Sequence, residues 1–147
     1  MILDKIAEAT KIRVQAAKNN MSPALIKKMA VPSPHRFSFE KALTSDEIAF
    51  ICEVKKGSPS KGVIAQDFPY VQIAVDYQQA GASAISVLTE PQFFLGKNDY
   101  LTKIKKAVSI PLLRKDFIID EYQIFESAVF GSDAILLICA LLSTEQI

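Results

Sequence analysis

Two charged residues close the first apolar run of the chain, in the segment Cys52-Glu53-Val54-Lys55-Lys56-Gly57-Ser58. Glu53 and Lys55 are two residues apart, so on a β-strand both side chains point to the face opposite Cys52 and Val54. Placing two charges on a covered face is costly unless they pair with each other or with a ligand. We interpret them as such a pair, and a solvated pair at a fraying strand end is the alternative.

The loop that follows is rich in Gly, Ser and Pro and carries Lys56 and Lys61. Such a loop can present backbone N–H groups and ammonium groups to an anion. It matches neither the GxxxxGK[ST] loop nor GxGxxG, so neither a nucleoside triphosphate nor a dinucleotide is indicated.

A second charged strand end is Leu113-Arg114-Lys115-Asp116-Phe117. Lys115 shares a strand face with Leu113, and a lysine at the carboxyl end of a parallel strand lies where α/β barrels place catalytic groups. The alternative is an ordinary surface pair of Lys115 with Asp116, which would contribute little to stability.

Two adjacent aromatic residues, Phe93 and Phe94, lie in a polar loop that ends at Gly96. They either fill the core between helices or form a hydrophobic wall for an aromatic substrate, and the sequence leaves both open.

Apolar runs alternate with helical patterns from residue 48 onward. Predicted strands cover residues 48–54, 84–88, 110–114 and 134–138, and predicted helices lie near 71–80, 98–108 and 121–130. This alternation predicts parallel strands joined by helical crossovers, with helices covering the sheet. Gly81 and Gly131 follow two of these helices, where a left-handed C-cap is favoured.

Helices are also expected before the first strand. Apolar residues from Leu3 to Ala17 form one stripe of an amphipathic helix, and Ser22-Pro23 begins a second, short helix. We therefore divide the chain into a helical extension, residues 1–45, and strand-helix units, residues 46–147. Because Ser143 and Gln146 form a capping-box pattern just before Ile147, we expect an N-terminal piece of a longer protein, truncated at the start of its next helix.

The bulk composition excludes several classes of protein. At 147 residues, half of them hydrophobic, the chain suits one globular domain, and its net charge of +1 gives no field for nucleic acid. Since no signal peptide or membrane span is recognisable, we expect a cytoplasmic protein without a membrane partner. Cys52 and Cys139 are interpreted as buried packing residues, and His35 has no partner at metal-binding spacing, so no metal site is predicted.

Four motifs follow one another along the chain. They are Glu53-Val54-Lys55-Lys56-x-Ser58-Pro59-Ser60-Lys61-Gly62, then Ser86-Val87-Leu88-Thr89-Glu90 with Phe93-Phe94-x-Gly96, then Leu113-Arg114-Lys115-Asp116-Phe117-Ile118, and then Leu136-Leu137-Ile138. In this order they resemble the strand-end motifs of the indole-3-glycerol phosphate synthase family, and the N-terminal helices resemble that family's extension ahead of its first strand.

The resemblance implies a (β/α)8 barrel, here strands one to four only, a half-barrel preceded by N-terminal helices. It implies conversion of 1-(2-carboxyphenylamino)-1-deoxyribulose 5-phosphate, a small anionic substrate, to indole-3-glycerol phosphate without metal or cofactor. Lys115 would then be the general acid, Lys55 would bind the substrate's anionic groups, and Glu53 would orient and tune both lysines. Further positions matching the family's substrate site are Ser58, Phe117, Leu136 and, in the aromatic loop, Phe94.

The chain also departs from the family pattern. Gly57 stands where the family more often has Ala, and Lys97 where Ser is common. Strands five to eight are absent, and with them a catalytic glutamate, an asparagine and the phosphate-binding loops. We therefore expect the chain alone to be inactive, and to self-associate or to need the C-terminal half.

Two other interpretations remain at this point. One is another ribulose-phosphate barrel such as phosphoribosylanthranilate isomerase, against which the Glu53/Lys55 pair and the run at Lys115 argue. The other is a self-associating half-barrel without catalytic activity.

Overall fold

A computed structural model of the protein describes residues 1–31, 37–44 and 47–147. His35 and the predicted boundary between residues 45 and 46 lie outside the described residues.

Three helices precede the first strand. Helix α1 (Ile2–Asn20) buries the centre of the predicted stripe, at Ile6, Thr10 and Val14. Helix α2 (Pro23–Met29) begins as predicted, with the Ser22 hydroxyl accepting a hydrogen bond from the Leu25 N–H. The short helix α3 (Ser38–Leu43) was not predicted. It has no buried residue and therefore no apolar period to detect.

The remainder alternates strands and helices. In chain order the elements are β1 (Ile51–Val54), β2 (Gly57–Ser58), β3 (Gly62–Val63), α4 (Tyr70–Gln79), β4 (Ala84–Leu88), α5 (Asn98–Lys105), β5 (Leu112–Lys115), α6 (Glu121–Val129) and β6 (Ala134–Ile135). Four strands form a parallel sheet in the order β1-β4-β5-β6, while β2 and β3 form a small antiparallel hairpin. Parallel strands in consecutive order, each pair joined through a helix, confirm the predicted half of a (β/α)8 barrel.

Some strand limits were predicted wrongly. Strand β1 starts at Ile51 because its partner β4 starts opposite it, at Ala84. Strand β5 starts at Leu112 and not two residues earlier, because Pro111 has no N–H to donate to a ladder. Strand β6 stops three residues short of its predicted end, pairing with β5 at only two positions. Cys139, beyond that end, is exposed and not buried as predicted.

One face of the sheet is covered by helices and carries the main apolar core. The core joins Val54, Ile85, Val87 and Leu112 of the strands to Ala74, Tyr100, Leu101 and Ile104 of α4 and α5. Side chains alternate along a strand, so Glu53 and Lys115 project from the opposite face. The fold thereby separates an apolar layer from a charged one.

Glycines are used where the backbone requires them. Gly81 (φ 92°) and Gly131 (φ 89°) end α4 and α6 in the left-handed conformation, as predicted. Gly96 packs on the end of β4, where a Cβ would lie 2.4 Å from the Leu88 carbonyl oxygen.

At the predicted capping box the Ser143 N–H donates to Gln146 Oε1 at 2.9 Å. Within the described ranges, no helix has the length and apolar character needed to cross a membrane.

Candidate functional site

Glu53 joins two lysines on the face of the sheet that the helices leave open. Its Oε2 accepts a hydrogen bond from Lys115 Nζ at 2.8 Å, and its Oε1 lies 3.0 Å from Lys55 Nζ. The side chains of Lys55 and Lys115 are 35% and 36% exposed, so both remain accessible to a ligand. The structure brings the three predicted catalytic side chains together. Their catalytic roles remain predictions.

The contact between Lys115 and Glu53 spans two strand spacings. Strand β4 lies between β1 and β5, so their backbones are about 10 Å apart, a gap that only long side chains can bridge. Ser86 occupies the position of β4 directly beside Glu53, and its hydroxyl donates to Glu53 Oε2 at 3.5 Å. A small residue at Ser86 leaves room for Lys115 to reach across.

Ser86 belongs to the second sequence motif, but the sequence alone indicates no role for it. Its face can be read from strand parity, but its position beside Glu53 depends on the register of two strands that are 33 residues apart. That register was not visible in the sequence.

The surroundings favour the charged form of Glu53. Partial burial raises the pKa of this carboxyl, but hydrogen bonds from Lys115 and Lys55, with their positive charges, outweigh burial and hold the pKa below its ordinary value. The backbone is fixed as well, since the Tyr77 hydroxyl of α4 donates to the Glu53 carbonyl oxygen. Glu53 is therefore a charged carboxylate held between two ammonium groups.

Ser58 lies in the hairpin that follows β1. Its hydroxyl lies 3.4 Å from the Ser60 hydroxyl and accepts from the Lys61 N–H at 3.3 Å, so its described hydrogen bonds stay within the hairpin. Gly57 packs tightly: a Cβ there would lie 2.9 Å both from the Gly62 carbonyl oxygen and from Leu95 Cδ1. In this chain the departure from Ala at position 57 therefore has a steric reason.

Two aromatic residues predicted to line the substrate site, Phe94 and Phe117, lie near each other. The ring centroids of Phe94 and Phe117 are 6.0 Å apart. The Phe94 loop is shaped by Glu90, whose buried carboxylate accepts hydrogen bonds from three successive backbone N–H groups, those of residues 92 to 94. Leu136 directly follows β6, half-buried, with its N–H directed at the Arg114 carbonyl oxygen.

The alternative of a surface pair between Lys115 and Asp116 is wrong. Asp116 is buried on the helix side, where Nη2 and Nη1 of Arg13 donate to it at 2.7 and 2.9 Å. Arg114, also fully buried, donates to Asp116 at 3.1 Å and to Glu126 at 2.8 Å. Lys115 is thus flanked in sequence by two buried charged residues that face away from it.

Burial raises the pKa of Asp116. Hydrogen bonds from Arg13 and Thr89 and the charges of Arg114 and Arg13 lower the pKa by more than burial raises it, so the net shift is downward. A carboxyl whose pKa is lower in the folded than in the unfolded protein stabilises the fold above its unfolded pKa. That stabilisation is lost as the pH falls through the folded value.

The arrangement can bind an anion and transfer a proton. Each ammonium group has three N–H donors, and the contact with Glu53 occupies only one direction. In the part of the chain that the structure describes, no group of three or more His, Cys, Asp or Glu side chains could hold a metal ion.

Comparison with known proteins gives one consistent result. Residues 3–147 match the family model described as indole-3-glycerol phosphate synthase. The chain is 58% identical to the indole-3-glycerol phosphate synthase of Ruminiclostridium cellulolyticum and 59% identical to that of Endomicrobium trichonymphae. These alignments cover 100% and 99% of the chain but only 57% of either relative, so the chain spans little more than half their length.

Replacing Asp116 with Asn should destabilise the protein by about 3 kcal/mol at pH 7, because it removes the buried carboxylate that Arg13 and Arg114 share. The difference from wild type should begin to shrink once the pH falls below the pKa of the unfolded aspartate, and should be lost as the pH falls through the lowered folded pKa, where the wild-type carboxyl also becomes neutral. Urea unfolding at pH 7 and at acidic pH measures both effects.

The matched control is Asp99→Asn, which removes an exposed carboxylate paired with Lys103 at 2.7 Å. We expect it to change stability little at either pH. A similar loss in both variants, or a loss in Asp116→Asn that does not depend on pH, would contradict the assignment of Asp116 as a buried charged group.

Proposed function

The chain belongs to the indole-3-glycerol phosphate synthase family, and on that premise we propose that it supplies the acid side of that family's ring-closing site. The complete enzyme would convert 1-(2-carboxyphenylamino)-1-deoxyribulose 5-phosphate to indole-3-glycerol phosphate, releasing carbon dioxide and water. The observation that carries this proposal is the Glu53 carboxylate hydrogen-bonded to Lys115 and paired with Lys55 at the carboxyl ends of β1 and β5.

Lys115 would act as the general acid. Its ammonium group would donate a proton to the ribulose carbonyl oxygen while the ring carbon that bears the carboxylate attacks the carbonyl carbon. Loss of carbon dioxide would restore the aromatic ring. The new hydroxyl would then leave as water after accepting a second proton from an acid, while a base removes a proton from the neighbouring ring carbon and completes the indole. The contact with Glu53 supports this role because it holds the Lys115 side chain across β4 and leaves donors free for the substrate.

Lys55 would hold the anionic groups of the substrate, and Glu53 would orient both lysines. An ammonium group is suited to a carboxylate because the pairing is a charge-assisted hydrogen bond. With Lys55 and Lys115 on its two oxygens, Glu53 keeps both ammonium groups at one end of the sheet.

Apolar groups would receive the aniline ring. Phe94 and Phe117, whose rings are 6.0 Å apart, are placed to form one wall, with Leu136 and Ser58 as further lining residues. The reaction is a ring closure of one substrate with loss of carbon dioxide and water, and it exchanges no electrons with a second reactant, so the proposal includes no cofactor and no metal. A cytoplasmic location remains a prediction.

The polypeptide of residues 1–147 is proposed to need the rest of the barrel for turnover. In barrels of this type the phosphate is usually held by the loops after the seventh and eighth strands, which lie outside the four parallel strands described. The open face and the edge of β1, where Ile48, Phe50 and Ile51 are exposed, would favour self-association or docking of a C-terminal half.

Lys115→Ala should lower kcat by about two to four orders of magnitude, the range for losing a general acid. The test uses a complete barrel in which residues 1–147 are joined to the C-terminal region of the Ruminiclostridium cellulolyticum relative, with product followed by indole fluorescence. Lys55→Ala should raise KM as well as lower kcat, because its proposed task is to hold an anion.

Lys106→Ala is the control for these variants, because Lys106 is exposed at the end of α5, on the helix side of the sheet. Near wild-type turnover in Lys115→Ala would overturn the assignment of the acid. Unchanged kcat and KM in Lys55→Ala would overturn the assignment of the anion-binding lysine.

The polypeptide of residues 1–147 alone should give no measurable turnover and should sediment as a self-associated species. Mixing it with a separately produced C-terminal half should yield a one-to-one complex with activity, because strand pairing would rebuild the missing part of the site. Sedimentation and the fluorescence assay, on each part alone and on the mixture, measure both. Turnover by the polypeptide alone at the rate of the complete barrel, or a monodisperse monomer, would contradict this proposal.

A further inference from the structure

The Asp116 carboxylate accepts five hydrogen bonds. Two of them are donated by Arg13 of the N-terminal helix α1. Arg13 Nη1 and Nη2 each donate to a different carboxylate oxygen across 103 residues of sequence. Thr89 Oγ1 donates at 2.6 Å, Arg114 Nη2 at 3.1 Å and the Phe117 N–H at 2.8 Å. A bidentate guanidinium fixes direction as well as charge.

Charge balance in this buried cluster depends on Arg13. Two guanidinium groups, Arg13 and Arg114, are paired with two carboxylates, Asp116 and Glu126, and the charge of the buried Glu90 carboxylate also acts on Arg13. Without Arg13, Arg114 alone would neutralise these carboxylates at a buried site, a costly state. Arg13 is therefore needed for more than the docking of a helix.

The cluster of Arg13, Arg114, Asp116 and Glu126 lies where the hydrogen bonds between β4 and β5 end. The last backbone hydrogen bond between β4 and β5 runs from the Thr89 N–H to the Lys115 carbonyl oxygen at 3.1 Å. Beyond it, Asp116 is held by the cluster, and Phe117 by its N–H on Asp116 and its carbonyl oxygen on Gln123. Lys115 is thus the last residue of β5, and the residue after it is anchored by Arg13.

We propose that Arg13 is a positioning residue for Lys115: by clamping Asp116 on the helix side, it holds the end of β5 so that Lys115 lies against Glu53 and Phe117 lies near Phe94. The proposal rests on the proposed function in taking Lys115 as the acid. It assigns the N-terminal helix a role in the geometry of the active site.

Helix α1 has other anchors, so loss of Arg13 need not release it. The Tyr122 hydroxyl donates to the Ala17 and Met21 carbonyl oxygens, each at 3.2 Å, and Val14 packs with Tyr122 and Ile26. Lys18 pairs with Asp120 at 2.7 Å. The Lys18 pair ties the same helix to the same loop without touching Asp116, which makes Lys18→Met a matched control.

The test compares Arg13→Met, Arg13→Lys and Lys18→Met in the 147-residue chain, following the Glu53 carboxyl by carbon-13 NMR titration. Among the described residues, the charged side chains that pair with this carboxyl are Lys55 and Lys115. The titration midpoint of Glu53 therefore reports whether Lys115 stays in contact. We expect Arg13→Met to raise the midpoint by about half a pH unit or more, as one charged partner withdraws, and Lys18→Met to leave it in place. Arg13→Lys retains the charge but not the bidentate geometry, so a rise there separates positioning from simple charge loss.

In the complete barrel we expect Arg13→Met to lower kcat by about tenfold or more with KM within about twofold, whereas Lys18→Met keeps both. A Glu53 midpoint that moves no more in the Arg13 variants than in Lys18→Met would overturn the inference, whatever the activity. If Arg13→Met does not fold, Arg13→Lys decides by the same criterion. A failure of the proposed function would instead show as wild-type turnover in Lys115→Ala.

Discussion

The alternation of side chains along β5 is the constraint on which the site depends. Arg114 and Asp116 must point to the helix side if Lys115 points to the open face. The chain satisfies this with two buried charges, which require partners, and the partners come from α1, α6 and the loop after β4. The accessible lysine is thus held in place by the buried ion pairs on either side of it.

The two faces of the sheet differ in charge. On the helix side, two guanidinium groups are paired with two carboxylates, and the hydroxyls of Thr89 and Ser127 fill further hydrogen-bonding positions. On the open face, one carboxylate serves two ammonium groups, which leaves an excess of positive charge. An excess of this sign, together with the proposed wall of Phe94 and Phe117, suits a substrate that has both an anionic group and an aromatic ring.

Local pattern was enough to predict much of the fold and part of the site. The parity of Glu53 and Lys55 indicated their shared face, and the alternation of strands and helices indicated the parallel sheet, whose consecutive order the structure confirms. The association of Lys115 with Glu53 was implied by the family resemblance and not by local pattern, because it depends on the register of three strands. Arg13 was missed because an exposed arginine on an amphipathic helix has the same local pattern as one that reaches a buried carboxylate 103 residues away.

The central claim is that Glu53 and Lys115 act as one unit, and a double-mutant cycle on kcat/KM in the complete barrel tests it most directly. The cycle compares Glu53→Gln, Lys115→Met and the double variant. Our account predicts that the double variant is hardly worse than Lys115→Met, with a coupling energy of about 1–3 kcal/mol, because Glu53 acts through the lysine. Strictly additive losses would contradict it, since they would mean that the hydrogen bond between these side chains has no part in the reaction.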